Sequence, residues 1–83
     1  MQITLKLYAM LTEYLPPGAE KNVGSLNLPE GTSVEKVVQQ LRLPERYVHL
    51  VLINGVYVSP DSLAGVMLSD GDTLAIWPPV AGG

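Results

Sequence analysis

The chain has no cysteine among its 83 residues, which excludes a disulfide framework, a thiolate metal site and a thiol nucleophile. Charge is also scarce. Asp, Glu, Lys and Arg make up 16% of the residues, and five basic against eight acidic groups leave a net charge of -3. A basic stripe of the kind that follows a nucleic-acid backbone is therefore missing, and neither DNA nor RNA is expected as a ligand. Nor is there an apolar run near the roughly 18 residues that a membrane span needs. The N-terminus opens as an alternating pattern and not as a charged segment followed by an apolar signal core, so no membrane association and a cytoplasmic location are expected. The chain is also too short for a deep catalytic cleft of its own, since a domain this small buries only about 60% of its extended surface. With 47% apolar residues it still has enough to fold around a core.

What is present reads as one α+β domain. Met1 to Tyr8 places Ile3, Leu5 and Leu7 against Gln2, Thr4, Lys6 and Tyr8, the period of a strand with one buried face. Residues 9 to 22 begin apolar and break at Pro16, Pro17 and Gly18, which predicts a short helical turn and a loop. Val23 to Leu28 is an expected edge strand ending at Pro29-Glu30-Gly31. Thr32 with Glu35 three residues on forms a capping-box pattern, and Val34, Val37, Val38 and Leu41 follow as one helical stripe. The helix is expected to end by Leu43, because Pro44 disfavours helical geometry in the residue before it.

Val48 to Ile53 and Val56 to Val58 flank Asn54-Gly55, a type I′ hairpin signal. Leu63 to Leu68 has no assignable pattern. Ser69-Asp70-Gly71-Asp72 is a turn, and Thr73 to Trp77 alternates as a last strand. One amphipathic helix needs a sheet to cover its stripe, so the expected fold is a β-grasp, ubiquitin-like, with a mixed four- to five-stranded sheet and one main helix across it. The expected boundaries are 1–77 for this domain and 78–83 for a flexible C-terminal tail.

That tail is the most informative segment: Pro78, Pro79, Val80, Ala81, Gly82 and Gly83. Proline favours an extended path and cannot pair its nitrogen in a sheet, so the tail is expected to project. At about 3.3 Å per residue its six residues span roughly 20 Å, enough to enter a neighbouring protein's active site. Two glycines without Cβ atoms pass a narrow channel and leave the last carboxylate open to attack. A carboxylate is a poor electrophile until an oxygen is made a leaving group, as adenylation by ATP does. Sulfur can then displace AMP to leave a thiocarboxylate. The bland alternative is a frayed end of small residues.

The run from Leu68 through Asp70-Gly71-Asp72, the strand Thr73-Leu74-Ala75-Ile76-Trp77 and the ending Pro78-Pro79-Val80-Ala81-Gly82-Gly83 resembles the C-terminal signature of the MoaD/ThiS family, in particular the small subunit of molybdopterin synthase. The first strand, capped helix and Asn-Gly hairpin extend the likeness over the chain. It departs at Ala9-Met10-Leu11-Thr12-Glu13, where members often carry a basic residue.

The resemblance implies that Gly83 is adenylated by an E1-like adenylyltransferase using ATP with Mg and converted to a thiocarboxylate, with a sulfurtransferase as the sulfur source. It further implies that residues 78–82 thread into the large subunit of molybdopterin synthase, where the sulfur enters the molybdenum cofactor. The protein is then a co-substrate without catalysis of its own. Other acceptors remain open: the thiamine thiazole, a tRNA base or a tungsten cofactor. So does a ubiquitin-like modifier joined to lysines.

Strand parity places Tyr8 and Trp77 on the sheet face away from the helix, with Tyr57 joining from the hairpin. Clustered aromatics on an uncovered face mark a docking site, with local packing under a loop as the alternative. His49, the single histidine, is placed in a strand with no second ligand near it in sequence and is expected to be a plain surface or packed residue. Asp70 and Asp72 are explained by turn chemistry, so no metal site is expected.

Overall fold

The computed structural model describes residues 1–79. Five strands run in the order β2-β1-β5-β3-β4: β1 Gln2–Leu7, β2 Val23–Asn27, β3 Leu50–Ile53, β4 Val56–Val58 and β5 Thr73–Trp77. Only β1 and β5 are parallel; the other neighbours are antiparallel. One α-helix, α1 (Val34–Gln40), and three 3-10 segments, Ala9–Tyr14, Glu45–Tyr47 and Pro60–Ser62, complete the elements of the described residues. This is the ubiquitin-like β-grasp that the pattern predicts.

The inner face of the sheet carries the core. Ile3, Leu5, Leu7, Leu74 and Ile76 are each 1% exposed or less, and they meet Val34 and Val37 of α1, both fully buried. Alternation in β1 and β5 thus places the residues that it predicts. Ala75 is also nearly buried although it stands on the other face, because it lies between Lys6 and Leu52 in the two middle ladders.

The start of α1 differs from the sequence reading, whereas its end falls before Leu43 as expected. The cap is Ser33, whose Oγ accepts from the Lys36 N–H. The Thr32 hydroxyl instead donates to the Pro29 carbonyl at 2.7 Å. Thr32 satisfies its own turn and leaves the first helical amides to its neighbour. At the other end, Arg42 adopts φ 60°, the Arg42 N–H donates to the Gln39 carbonyl and the Leu43 N–H to the Val38 carbonyl. This is a Schellman motif with Arg42 where glycine is usual. It stops the helix at Gln40, before Pro44 is reached, and is sealed by the buried pair Val38 and Leu43.

The hairpin turn is of the expected type, with Asn54 at φ 51° and Gly55 at φ 82°. β3, however, begins at Leu50, so His49 lies just outside the strand in which the sequence places it. Asn54 also ties the turn before β5. Its Nδ2 donates to Asp72 Oδ1, its Oδ1 accepts from the Thr73 N–H, and Asp72 Oδ2 accepts from the Ser69 N–H, all within 2.8–2.9 Å. Both aspartates have turn roles, since Asp70 Oδ1 accepts from the Gln2 N–H. The segment 63–68, without a sequence assignment, runs beside the helix start, where Met67 bridges Ser33.

Candidate functional site

β5 leads to the tail from the middle of the sheet, and both its neighbours hold its end. The Tyr8 N–H donates to the Ile76 carbonyl at 3.3 Å, and the His49 N–H donates to the Trp77 carbonyl at 3.1 Å. Of the two prolines that follow, Pro78 is buried and Pro79 is exposed. The chain is therefore still packed against the body at Pro78. Pro78 packs because its ring is apolar and its missing N–H leaves no donor to satisfy. Val80, Ala81, Gly82 and Gly83, with the carboxylate on which the sequence reading turns, lie outside the described residues.

Around this root lies the outer sheet face, which no helix covers. Tyr8 continues the extended course of β1 with φ -119° and ψ 156°, so its ring points outward. There it stacks on Trp77 with centroids 4.1 Å apart and planes 5° from parallel. Trp77 pairs with Leu50, and the next row runs Lys6, Ala75, Leu52, Tyr57. Tyr57 is 58% exposed. The structure thus brings Tyr8 and Trp77 into contact and puts Tyr57 on the same face, two strands away from Trp77, with Leu50 and Leu52 between them.

The sequence reading missed Leu50 and Leu52 as parts of this face, on which alternation places Lys6. In the run Leu50-Val51-Leu52-Ile53 both parities are apolar, so alternation cannot say which pair faces out. The pairing answers it: Val51, opposite Ile76, is fully buried, while Leu52, opposite Ala75, is only half-buried. Among the described residues no cluster of three or more His, Asp or Glu side chains is placed to hold a metal ion. His49 is exposed, and its structural bond uses the backbone alone.

The model of the ThiS family matches residues 13–83. The chain belongs to the ThiS family, the MoaD/ThiS sulfur carriers. Solved structures extend the likeness to β1. SAMP1 from Haloferax volcanii is 25% identical, with all of both chains covered and a TM-score of 0.71. A molybdopterin converting factor subunit 1 from Pyrococcus furiosus is 24% identical over 95% of this chain and 98% of the other, with a TM-score of 0.64. A complex of subunits 1 and 2 of the molybdopterin-converting factor from Helicobacter pylori contains a chain 17% identical over the full length of both, with a TM-score of 0.63. No curated protein matches the sequence. As a ThiS-family member the chain presents, at the end of its central strand, a buried proline, an exposed proline and the four family residues that close the sequence.

Proposed function

We propose that the carboxylate of Gly83 is the working group of a sulfur carrier for molybdopterin synthesis. An E1-like adenylyltransferase presents Mg-ATP, a carboxylate oxygen attacks the α-phosphorus, and pyrophosphate leaves. The terminal sulfur of a sulfurtransferase persulfide then attacks the acyl carbon and AMP departs, and a thiol reduces the acyl disulfide so formed, leaving a thiocarboxylate and a disulfide. In the large subunit of molybdopterin synthase residues 79–82 thread to the pterin, and the sulfur is handed over. The outer face, with Tyr8, Trp77 and Tyr57, docks on these partners, and the whole cycle runs in the cytoplasm.

One observation carries this reading. The strand that bears the Pro-Pro-Val-Ala-Gly-Gly ending is the same strand that places Trp77 on the uncovered face. A partner seated on that face is thereby at the tail's point of departure. From Pro79 on, five residues at about 3.3 Å each reach roughly 16 Å. The likeness of the tail to that of molybdopterin synthase small subunits supports this acceptor over the thiamine thiazole, a tRNA base or a tungsten cofactor.

A second reading, a modifier whose Gly83 forms an isopeptide bond with lysines, is favoured by the likeness to SAMP1, and a second solved structure of a small archaeal modifier protein from the same organism is 27% identical. Mass spectrometry of the protein isolated from its native cell separates the two. One S-for-O exchange on the C-terminal peptide is expected for the carrier; ladders of lysine conjugates without that exchange overturn it.

A further inference from the structure

Lys6 is an odd occupant of its position. In the sheet register it lies between Val23 and Ala75, in the row that continues to Leu52 and Tyr57. The residue is half-buried there, and a long cationic chain on apolar ground covers it with its stem while keeping its ammonium in water. Among the described residues, no other outward-facing strand position carries a charge, since the remainder are apolar, aromatic, amide or hydroxyl side chains. The acidic residue nearest in register, Glu20, is exposed and lies one strand further out, bridged to Val23 beyond the sheet.

We infer that Lys6 selects the partner of this face: an apolar surface that carries one carboxylate to meet the ammonium. The inference rests on the carrier reading and deepens it. An apolar face that closes on another protein removes water from whatever charge it contains, and an ammonium so covered weakens binding unless an opposite charge meets it. A second copy of this chain does not meet that requirement. Two such faces laid together bring two ammonium groups and no strand carboxylate. The complementary group must come from a different protein.

Position adds a geometric consequence. Lys6 is two residues from Tyr8 along β1, and its partner Ala75 is two residues from Trp77 along β5. At about 3.3 Å per residue the charge contact falls roughly 7 Å from the Tyr8–Trp77 stack, whose Trp77 ends the strand that leads to the tail. A single ion pair at that distance fixes the register in which a partner sits, and with it the direction in which residues 79–83 enter. Apolar contacts alone fix such a register weakly, because they are non-directional.

The test is a calorimetric titration of the full chain and its Lys6→Arg, Lys6→Met and Lys6→Glu variants into the purified large synthase subunit and the purified activating enzyme of the same cell. Circular dichroism and urea midpoints confirm that each variant is folded. Lys6→Arg is expected to bind within about threefold of wild type, Lys6→Met about tenfold more weakly and Lys6→Glu about a hundredfold more weakly, with a flatter salt dependence for Lys6→Met. If Lys6→Met binds as well as wild type or better, the face is read by its apolar area alone and the inference is overturned. Wild-type self-association through this face, abolished by Lys6→Glu, overturns it too. If the wild type binds neither protein, the carrier reading itself falls and takes this one with it.

Discussion

Tyr8 lies flat on Trp77, 4.1 Å between ring centroids, at the one end of the sheet from which the tail departs. Tyr8 directly follows β1 and Trp77 ends the parallel neighbour β5, and the Tyr8 amide donates to the Ile76 carbonyl just before Trp77. The stack therefore fixes the orientation of the indole beside the tail. Replacing Tyr8 by Ala removes an aromatic pair worth about 0.5–1.5 kcal/mol beyond its buried area. Tyr8→Ala is expected to lower stability by about that amount in urea unfolding and to weaken binding to the large subunit about tenfold in titration. Loss of stability with undiminished binding would remove this pair from the docking face.

Removing Gly82 and Gly83 separates fold from function. Glycine has no side chain to bury in a core, so the truncated chain is expected to unfold within about 0.5 kcal/mol of the full one. It should give no S-for-O exchange when incubated with the activating enzyme, Mg-ATP and a sulfur donor. A thiocarboxylate formed on the shortened chain would place the reactive group elsewhere.

The helix start allows a direct comparison of neighbours. Ser33→Ala removes the oxygen that receives the Lys36 amide and is expected to cost about 1 kcal/mol. Thr32→Ala removes a bond to the Pro29 carbonyl in an exposed loop and is expected to cost less. Equal losses, or the reverse order, in chemical denaturation would make Thr32 the working cap.

At the helix end Arg42 holds the left-handed conformation at φ 60°, which is unfavourable for a residue with a Cβ by about 1–2 kcal/mol. Arg42→Gly relieves this, offset by the greater freedom of glycine in the unfolded chain. A net gain of about 0.5–1 kcal/mol is expected in the urea midpoint. A loss would mean that the arginine side chain contributes more than its backbone costs.

Strand alternation made β1 and β5 legible down to single residues, because Ile3, Leu5, Leu7, Leu74 and Ile76 are interrupted by polar, small or aromatic neighbours. It failed in Leu50-Val51-Leu52-Ile53, where two apolar parities look alike and only pairing with β5 distinguishes them. The helix was legible from its stripe, and it ends before Leu43 as expected, yet its cap was displaced by one residue. Thr32 and Ser33 are chemically equivalent caps until their hydrogen bonds are known, and no local rule announces a left-handed Arg42. The family ending was plain in the residues. That Pro78 is buried was not, since the packing of a proline ring depends on what the fold brings to it.

The position of β5 between β1 and β3 has a mechanical consequence. A partner that draws on the C-terminus applies its load to a central strand held by hydrogen-bond ladders along both edges. Such a load runs along the strand and strains many bonds together, so no single bond yields first. A pull on the chain beyond Trp77 is thereby resisted by the whole ladder at once, without peeling the sheet open.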